Sequence, residues 1–139
     1  MLKQVLFVAG KIGIMFSVTE IDAVRTKQGK AQIYEEVEIN EDNCFDETTG
    51  VFTAPCTGAY VLIVRAESNK SDVEVSSYIM IDDKSSTIAH GGYHGSTVCE
   101  LVQLKYGEKV WIAAGSSGDK YDAVGSRNSF YCFLVQGAP

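Results

Sequence analysis

Two short runs of sequence decide the fold of this 139-residue chain: Tyr60-Val61-Leu62-Ile63-Val64 and Phe130-Tyr131-Cys132-Phe133-Leu134-Val135. Both are rich in β-branched and aromatic residues, and neither continues into a helical i, i+3, i+4, i+7 pattern. We therefore predict β-strands. Every position in both runs is apolar, so both faces of each strand need shielding from water.

The same pattern of short apolar blocks extends along the chain, separated by turn residues such as Thr49-Gly50, Thr57-Gly58 and Tyr106-Gly107. About ten strands at intervals of roughly 8–12 residues are typical of a two-sheet sandwich or a barrel. The predicted strands are 4–9, 12–17, 32–39, 44–46, 51–53, 59–66, 73–81, 86–89, 97–104, 109–114 and 129–135.

These strands are of two kinds. In Glu36-Val37-Glu38-Ile39 and Asp72-Val73-Glu74-Val75 apolar residues alternate with acids, which predicts one face on the core and one in water. The strands around residues 60 and 130 are apolar on both faces, although a sandwich covers each sheet on one side only. Since no helix is predicted as a third layer, we expect self-association through Val61, Ile63 and Tyr131. The alternative is that these are scattered exposed apolar side chains.

Composition limits the class of protein. With 45% hydrophobic residues, we expect one compact domain over residues 1–139 and no general disorder. A net charge of -6 and a pI near 4.8 argue against binding of nucleic acid. No apolar run approaches the roughly 20 residues that a membrane helix needs, so we predict no membrane insertion. The apolar stretch 5–9 is similar to a signal peptide but is too short, and we interpret it as a strand of a mature chain.

The four cysteines Cys44, Cys56, Cys99 and Cys132 show no Cys-x-x-Cys or Cys-His clustering, which argues against zinc. They permit three disulfide pairings, and the sequence does not choose among them. A glycosylation sequon at Asn69 gives weak support for a secretory route.

A family resemblance appears at Gly50-Val51-Phe52-Thr53-Ala54-Pro55, followed by Gly58-Ala59-Tyr60. This pattern resembles the globular head domain of complement component C1q. Three further blocks agree in order and spacing: Phe16-Ser17, the stretch from Leu104 to Trp111, and the stretch from Ser129 to Leu134. The resemblance implies an all-β fold, a two-sheet antiparallel jelly-roll β-sandwich of the C1q/tumour-necrosis-factor type with about ten strands.

The chain also departs from that family. Glu108 stands where the family usually has Asp, Cys132 replaces a Gly and Leu62 replaces an aromatic residue. Because the cysteines differ from those of the complement chains, we do not carry over their disulfide. The chain contains no collagen-like Gly-X-Y stem.

Large aromatic residues are predicted to fill the space between the two sheets. We expect them to be mostly buried, and truncation of Phe133 to Ala to cost about 3–5 kcal/mol through the cavity it would leave. The predicted core aromatics are Phe52, Tyr60, Trp111, Phe130 and Phe133.

Signatures of enzymes are absent: there is no GxSxG, P-loop or HExxH motif, and only two histidines are available as a general base. We therefore predict a protein that is not an enzyme. An enzyme on a jelly-roll scaffold is the third functional class, and it would need convergent histidines and carboxylates on strands. His90 and His94 flank Gly91-Gly92-Tyr93 in a predicted loop, where polar loop side chains are favoured over a metal pair.

Two loops, 90–95 and 115–127, are the candidate ligand-binding segments because loops carry recognition on a rigid sandwich. Tyrosines there would stack on a sugar, and an arginine would meet an anionic group. Asp119 and Asp122 are candidate ligands for calcium, the only candidate cofactor, although solvated turn charges are favoured. Asp82-Asp83 is expected to close a hairpin. The candidate ligand-binding residues are His90, Tyr93, His94, Asp119, Tyr121, Asp122 and Arg127.

The resemblance implies a secreted, extracellular, non-enzymatic recognition module. Its expected assembly into a homotrimer rests on the resemblance and in part on the strand pattern. Its expected ligands are carbohydrates, microbial surfaces or proteins, in pattern recognition of the innate-immunity type. The alternative is a trimeric signalling ligand of the tumour-necrosis-factor type that binds a cell-surface receptor.

Overall fold

A computed structural model of the chain describes residues 13–22, 25–27, 29–68, 75–91, 94–116 and 127–137. Within these ranges ten strands and one 3₁₀ turn, Glu41–Asn43, are present, and no α-helix. The strands are β1 (Gly13–Ile21), β2 (Tyr34–Asn40), β3 (Phe45–Asp46), β4 (Val51–Thr53), β5 (Gly58–Ala66), β6 (Val75–Ile81), β7 (Lys84–Gly91), β8 (Ser96–Leu104), β9 (Lys109–Ser116) and β10 (Ser129–Gly137).

The strands form two antiparallel five-stranded sheets. The first sheet has the order β2-β1-β10-β5-β8, and the second has the order β3-β4-β9-β6-β7. The predicted jelly-roll sandwich is confirmed. The predicted strand 4–9 lies outside the described residues.

The chain crosses between the sheets just before β2. The strand predicted over 32–39 begins at Tyr34 because the residues before it bond to the second sheet instead. The Gln32 N–H donates to the Ile112 carbonyl at 2.7 Å, and the Ala114 N–H donates to the Lys30 carbonyl at 2.8 Å. This segment therefore lies beside β9, in line with the short strand β4.

Phe16 of β1 lies at the centre of the core. Its ring centroid is 4.7 Å from that of Phe45, 5.1 Å from that of Phe52 and 4.8 Å from that of Phe130. Tyr60 joins this cluster through Phe52, at 5.8 Å. Tilted and edge-on contacts of this kind hold the two sheets together more specifically than aliphatic packing alone.

The core prediction is confirmed for Phe52, Tyr60 and Phe130, which are fully buried. It is wrong for Trp111 and Phe133, which are only half-buried. Trp111 lies between the buried residues Val110 and Ile112, and Phe133 between Cys132 and Leu134, so strand alternation turns both away from the core. The predicted 3–5 kcal/mol cost of truncating Phe133 therefore does not apply to an isolated protomer.

Candidate functional site

The exposed side of the first sheet carries two rows of mostly apolar side chains. Residues directly opposite one another on β1, β10, β5 and β8 form each row. The first row is Ile14, Phe133, Val61 and Leu101, and the second is Ser17, Tyr131, Ile63 and Cys99. We call these eight residues the outer face.

The outer face remains accessible in the protomer. Leu101 is 67% exposed and Ile14 is 42% exposed, whereas Val61, Ile63, Tyr131 and Phe133 are half-buried. Opposing side chains on adjacent antiparallel strands lie about 4.5–5.5 Å apart at Cβ, so the apolar residues of the two rows form a continuous strip across β10, β5 and β8.

A third row, which is polar, ends this strip. It consists of Thr19, Ser129, Arg65 and Thr97. In this row Arg65 is held by an ion pair from its Nη2 to Glu67 Oε1 at 3.0 Å, and Nη2 also donates to the His94 carbonyl at 3.2 Å. The outer face therefore has a defined boundary toward this end of the sheet.

β2 adds one more apolar residue to this side of the sheet. A register shift in the pairing of β1 and β2 places Ser17 opposite Ile39 but Val18 opposite Val37. Val37 then packs against the core, whereas Ile39 is exposed beside the outer face. The predicted placement of both residues on one buried face is therefore wrong, because the bulge interrupts the alternation.

The predicted interface residues Val61, Ile63 and Tyr131 come together in the structure, and Ile63 is directly opposite Tyr131. Sequence reasoning missed Leu101 and Phe133. Leu101 alternates with the inward-pointing residues Val98 and Val102, so its parity was a usable signal.

The predicted loop sites are described only in part. His94 lies exposed in a turn, and Arg127 is exposed in a turn before β10. His90 is not in a loop, because β7 extends to Gly91 and pairs His90 with Ser76 of β6. The remaining predicted ligand residues, Tyr93, Asp119, Tyr121 and Asp122, lie outside the described residues.

The hairpin predicted at Asp82-Asp83 is confirmed. These two residues join β6 to β7 with φ values of 45° and 69°, the left-handed conformation that two-residue hairpin turns require. The Asp82 carboxylate also accepts a hydrogen bond from the Lys109 N–H at 2.9 Å.

All four cysteines are free thiols, with Cys44, Cys56 and Cys132 buried and Cys99 exposed. Burial raises the pKa of Cys44 to about 12 and raises the pKa of Cys132 as well. Because the thiolate is the nucleophile and metal ligand, these two side chains are inert near neutral pH. Within the described ranges, no three His, Cys, Asp or Glu side chains are grouped to hold a metal ion.

A pocket of about 410 Å³ opens at the β3–β4 edge of the second sheet, and we call it the β4 pocket. Its walls come from the 3₁₀ turn and β3, from β4 with the segment after it, and from the turn between β8 and β9. Residues on these walls include Asp42, Asn43, Asp46, Val51, Pro55 and Tyr106. None of them belongs to the outer face.

Comparisons with known proteins agree with this geometry. A model of the C1q domain family matches residues 15–135. Protein HP-25 homolog 1 of Bos taurus is 30% identical over 110 residues, which cover 76% of this chain and 50% of that protein. The chain thus spans about half the length of this curated relative.

Solved structures share the fold at low identity. The globular domain of zebrafish complement 1qA protein has a TM-score of 0.75 at 18% identity, covering 92% of this chain and 100% of that one. Murine APRIL has a TM-score of 0.66 at 8% identity, covering 90% and 99% of the two chains. Pika GITRL has a TM-score of 0.59 at 10% identity, covering 93% and 100%. In the described part of this chain, no helix has the length and apolar character needed to span a membrane.

Proposed function

Because this chain belongs to the C1q domain family, we propose that it is a secreted, non-enzymatic recognition domain that works as a homotrimer. The observation that carries the proposal is the outer face, two contiguous and mostly apolar rows that nothing in the described part of the protomer covers. Contiguous exposed apolar patches mark interaction sites, since each Å² removed from water contributes roughly 25 cal/mol.

Another copy of the chain is the covering partner that we propose for this face. Burial of Leu101, Phe133 and Ile14 against other copies of the chain would complete the shielding that these strands need on both faces. The number of copies, three, rests on the family resemblance.

The ligands that we propose are carbohydrates, microbial surfaces or proteins, bound by loops at the ends of the sandwich in pattern recognition. A calcium ion at Asp119 and Asp122 is part of this proposal. The test is a binding screen against microbial glycans with and without calcium, repeated with both aspartates changed to Ala. If the double variant remains a trimer and its binding is undiminished, the loop that carries Asp119 and Asp122 is not the ligand site.

The second candidate is a trimeric signalling ligand of the tumour-necrosis-factor type. It is favoured by the shared fold with APRIL and GITRL, at TM-scores of 0.66 and 0.59. A receptor-dependent cellular response without binding to glycans would support this function, and binding to glycans without such a response would support the first.

Light scattering tests the assembly. We expect about three times the 15.1 kDa mass of one chain at micromolar concentration, and Val61→Glu should shift this toward the monomer because it places a charge in the first apolar row. Met80→Glu is the matched control, since Met80 is half-buried on the second sheet. A monomeric wild-type protein would contradict the proposal.

A further inference from the structure

The β4 pocket is a second concave site, separate from the outer face. Its volume of about 410 Å³ lies within the range of roughly 300–1,000 Å³ found for ligand pockets. Because no lining residue lies on the outer face, a ligand here and a second copy of the chain there would not compete.

Both walls of the pocket are held in place by hydrogen bonds. On one side the Asn40 amide donates to the Phe45 carbonyl at 2.8 Å and accepts from the Phe45 N–H at 3.0 Å, which fixes the turn carrying Asp42. On the other side the Tyr106 N–H donates to Thr57 Oγ1, and the Gly107 N–H donates to the Ala54 carbonyl, both at 2.9 Å. A pocket fixed in this way loses little freedom when a ligand binds.

The charges of the pocket favour a cation. Asp42 and Asp46 line it, and in the described part of the chain neither forms an ion pair. The Asp46 carboxylate accepts hydrogen bonds from the N–H of Thr48 at 2.9 Å and from its hydroxyl at 2.6 Å, which lowers the pKa of Asp46 and keeps it ionised. Near the rim, the Lys109 ammonium donates to Thr53 Oγ1 at 3.1 Å rather than to either carboxylate.

The remaining surface of the pocket suits a long side chain with a planar head. Tyr106 lines the pocket and is 61% exposed, and an aromatic side chain of this kind can contact a guanidinium through a cation–π interaction. Val51 and Pro55 offer apolar surface to an aliphatic stem. A guanidinium has five donors and no acceptor, which matches two carboxylates, whereas a sugar hydroxyl both donates and accepts.

We propose that the β4 pocket binds a single arginine side chain presented by a protein partner. This inference rests on the proposed recognition role and adds a ligand chemistry to it. Arginine is favoured over lysine because its planar fork can meet a carboxylate in two hydrogen bonds and stack on an aromatic ring at the same time.

The test uses the ¹⁵N-labelled full chain and a capped Gly-Arg-Gly tripeptide, followed by amide chemical shifts at low salt. We expect saturable shifts around Asp42 and Tyr106 with a dissociation constant on the order of 1 mM, as for a weak single-side-chain contact. The same peptide with citrulline in place of arginine keeps the shape but lacks the charge, and it should bind at least about tenfold more weakly.

Variants locate the site. Asp42→Asn and Asp46→Asn should each weaken binding by about tenfold, which corresponds to the loss of one charge-assisted hydrogen bond. Glu47→Gln is the matched control, because it removes an exposed carboxylate next to Asp46 that does not line the pocket. We expect this variant to bind as the wild type does.

Equal binding of the citrulline peptide, or unchanged binding by both aspartate variants, would overturn the proposal. Shifts at Asp42 and Tyr106 caused by a panel of neutral saccharides but not by the arginine peptide would overturn it in favour of a carbohydrate site. Light scattering on the same samples tests assembly separately from arginine binding, since loss of the arginine site leaves the trimer mass unchanged.

Discussion

Gly50 and Gly107 have similar backbone conformations in different surroundings. Both lie in the left-handed region, with φ values of +76° and +88°. A Cβ on Gly50 would meet the Gln32 carbonyl oxygen, in the segment that crosses between the sheets, whereas a Cβ on Gly107 would meet nothing within 4 Å. At Gly50 the requirement for glycine is therefore steric as well as conformational.

We predict that Gly107→Ala lowers the free energy of unfolding by about 1–2 kcal/mol, the ordinary penalty of a side chain in the left-handed region. Gly50→Ala should be more destabilising, because the crossing segment must also move away from β4. Urea denaturation of both variants measures the difference. Equal losses in the free energy of unfolding for the two variants would mean that the segment that crosses between the sheets moves aside at no energetic cost.

Burial of Cys44 makes stability sensitive to alkaline pH. Its pKa is raised to about 12 from 9.0, so the unfolded chain releases this proton at a lower pH than the folded chain does. The contribution to stability is complete below pH 9 and is lost as the pH rises toward 12, by about 1.4 kcal/mol per unit for one group. The pKa values of Cys132 and Tyr60 are also raised, so they act in the same direction.

Denaturation by urea between pH 8 and 11.5, under reducing conditions, measures this decline. Cys44→Ala should show a shallower loss of stability above pH 9 than the wild type, whatever its stability at pH 8. Parallel curves for the two proteins would show that this thiol does not contribute.

At the scale of elements, β8 is one edge strand of the first sheet and β7 is one edge strand of the second, and a glutamate side chain joins them. Glu100 of β8 accepts hydrogen bonds from the hydroxyls of Ser86 and Thr87 on β7. This contact bridges the two sheets at one open side of the sandwich, where the edge strands leave backbone groups unpaired.

We predict that Glu100→Ala lowers the free energy of unfolding by about 1–2 kcal/mol, since both hydroxyls lose a charged acceptor. Hydrogen exchange should quicken in β7 and β8 more than in β1 and β10. Gln103→Ala, on the exposed side of the same strand, is the control and should have little effect. Uniformly faster exchange in all strands would argue against a local contact.

The sequence predicted the strands well because turn residues interrupt short apolar blocks, and it predicted the pairing of Val61, Ile63 and Tyr131 on one surface. It failed for Phe133 because a strand that is apolar at every position carries no information about which face is inward. The register with the neighbouring strands decides that, and a bulge such as the one between Ile14 and Phe16 can reverse it.

The β4 pocket could not be predicted from sequence. Its walls carry Asp42 and Tyr106, which are far apart along the chain and meet only because β4 pairs with β9 in the second sheet. Among described residues, His90 was predicted in a loop but lies in β7. The reason is related, because the length of β7 is set by its pairing with β6 rather than by its own composition.

For the whole molecule, the outer face couples stability to concentration. If a folded protomer is stabilised by other copies that cover Leu101 and Phe133, dilution shifts the equilibrium toward unfolding. We predict that the midpoint of thermal unfolding rises with protein concentration for the wild type. Calorimetry over a hundredfold range of concentration measures this. The same midpoint at all concentrations would indicate that the protomer is stable alone.

The place of β10 in the first sheet has a consequence for synthesis of the chain. This strand, the last of those described, lies between β1 and β5 and bonds to both. Before β10 leaves the ribosome, the strand order allows at most two separate pairs of the first sheet, β1 with β2 and β5 with β8, and their inner edges would be open. The domain can therefore complete its fold only after translation has passed residue 137. A nascent chain that stalls earlier would expose unpaired strand edges, to which chaperones can bind.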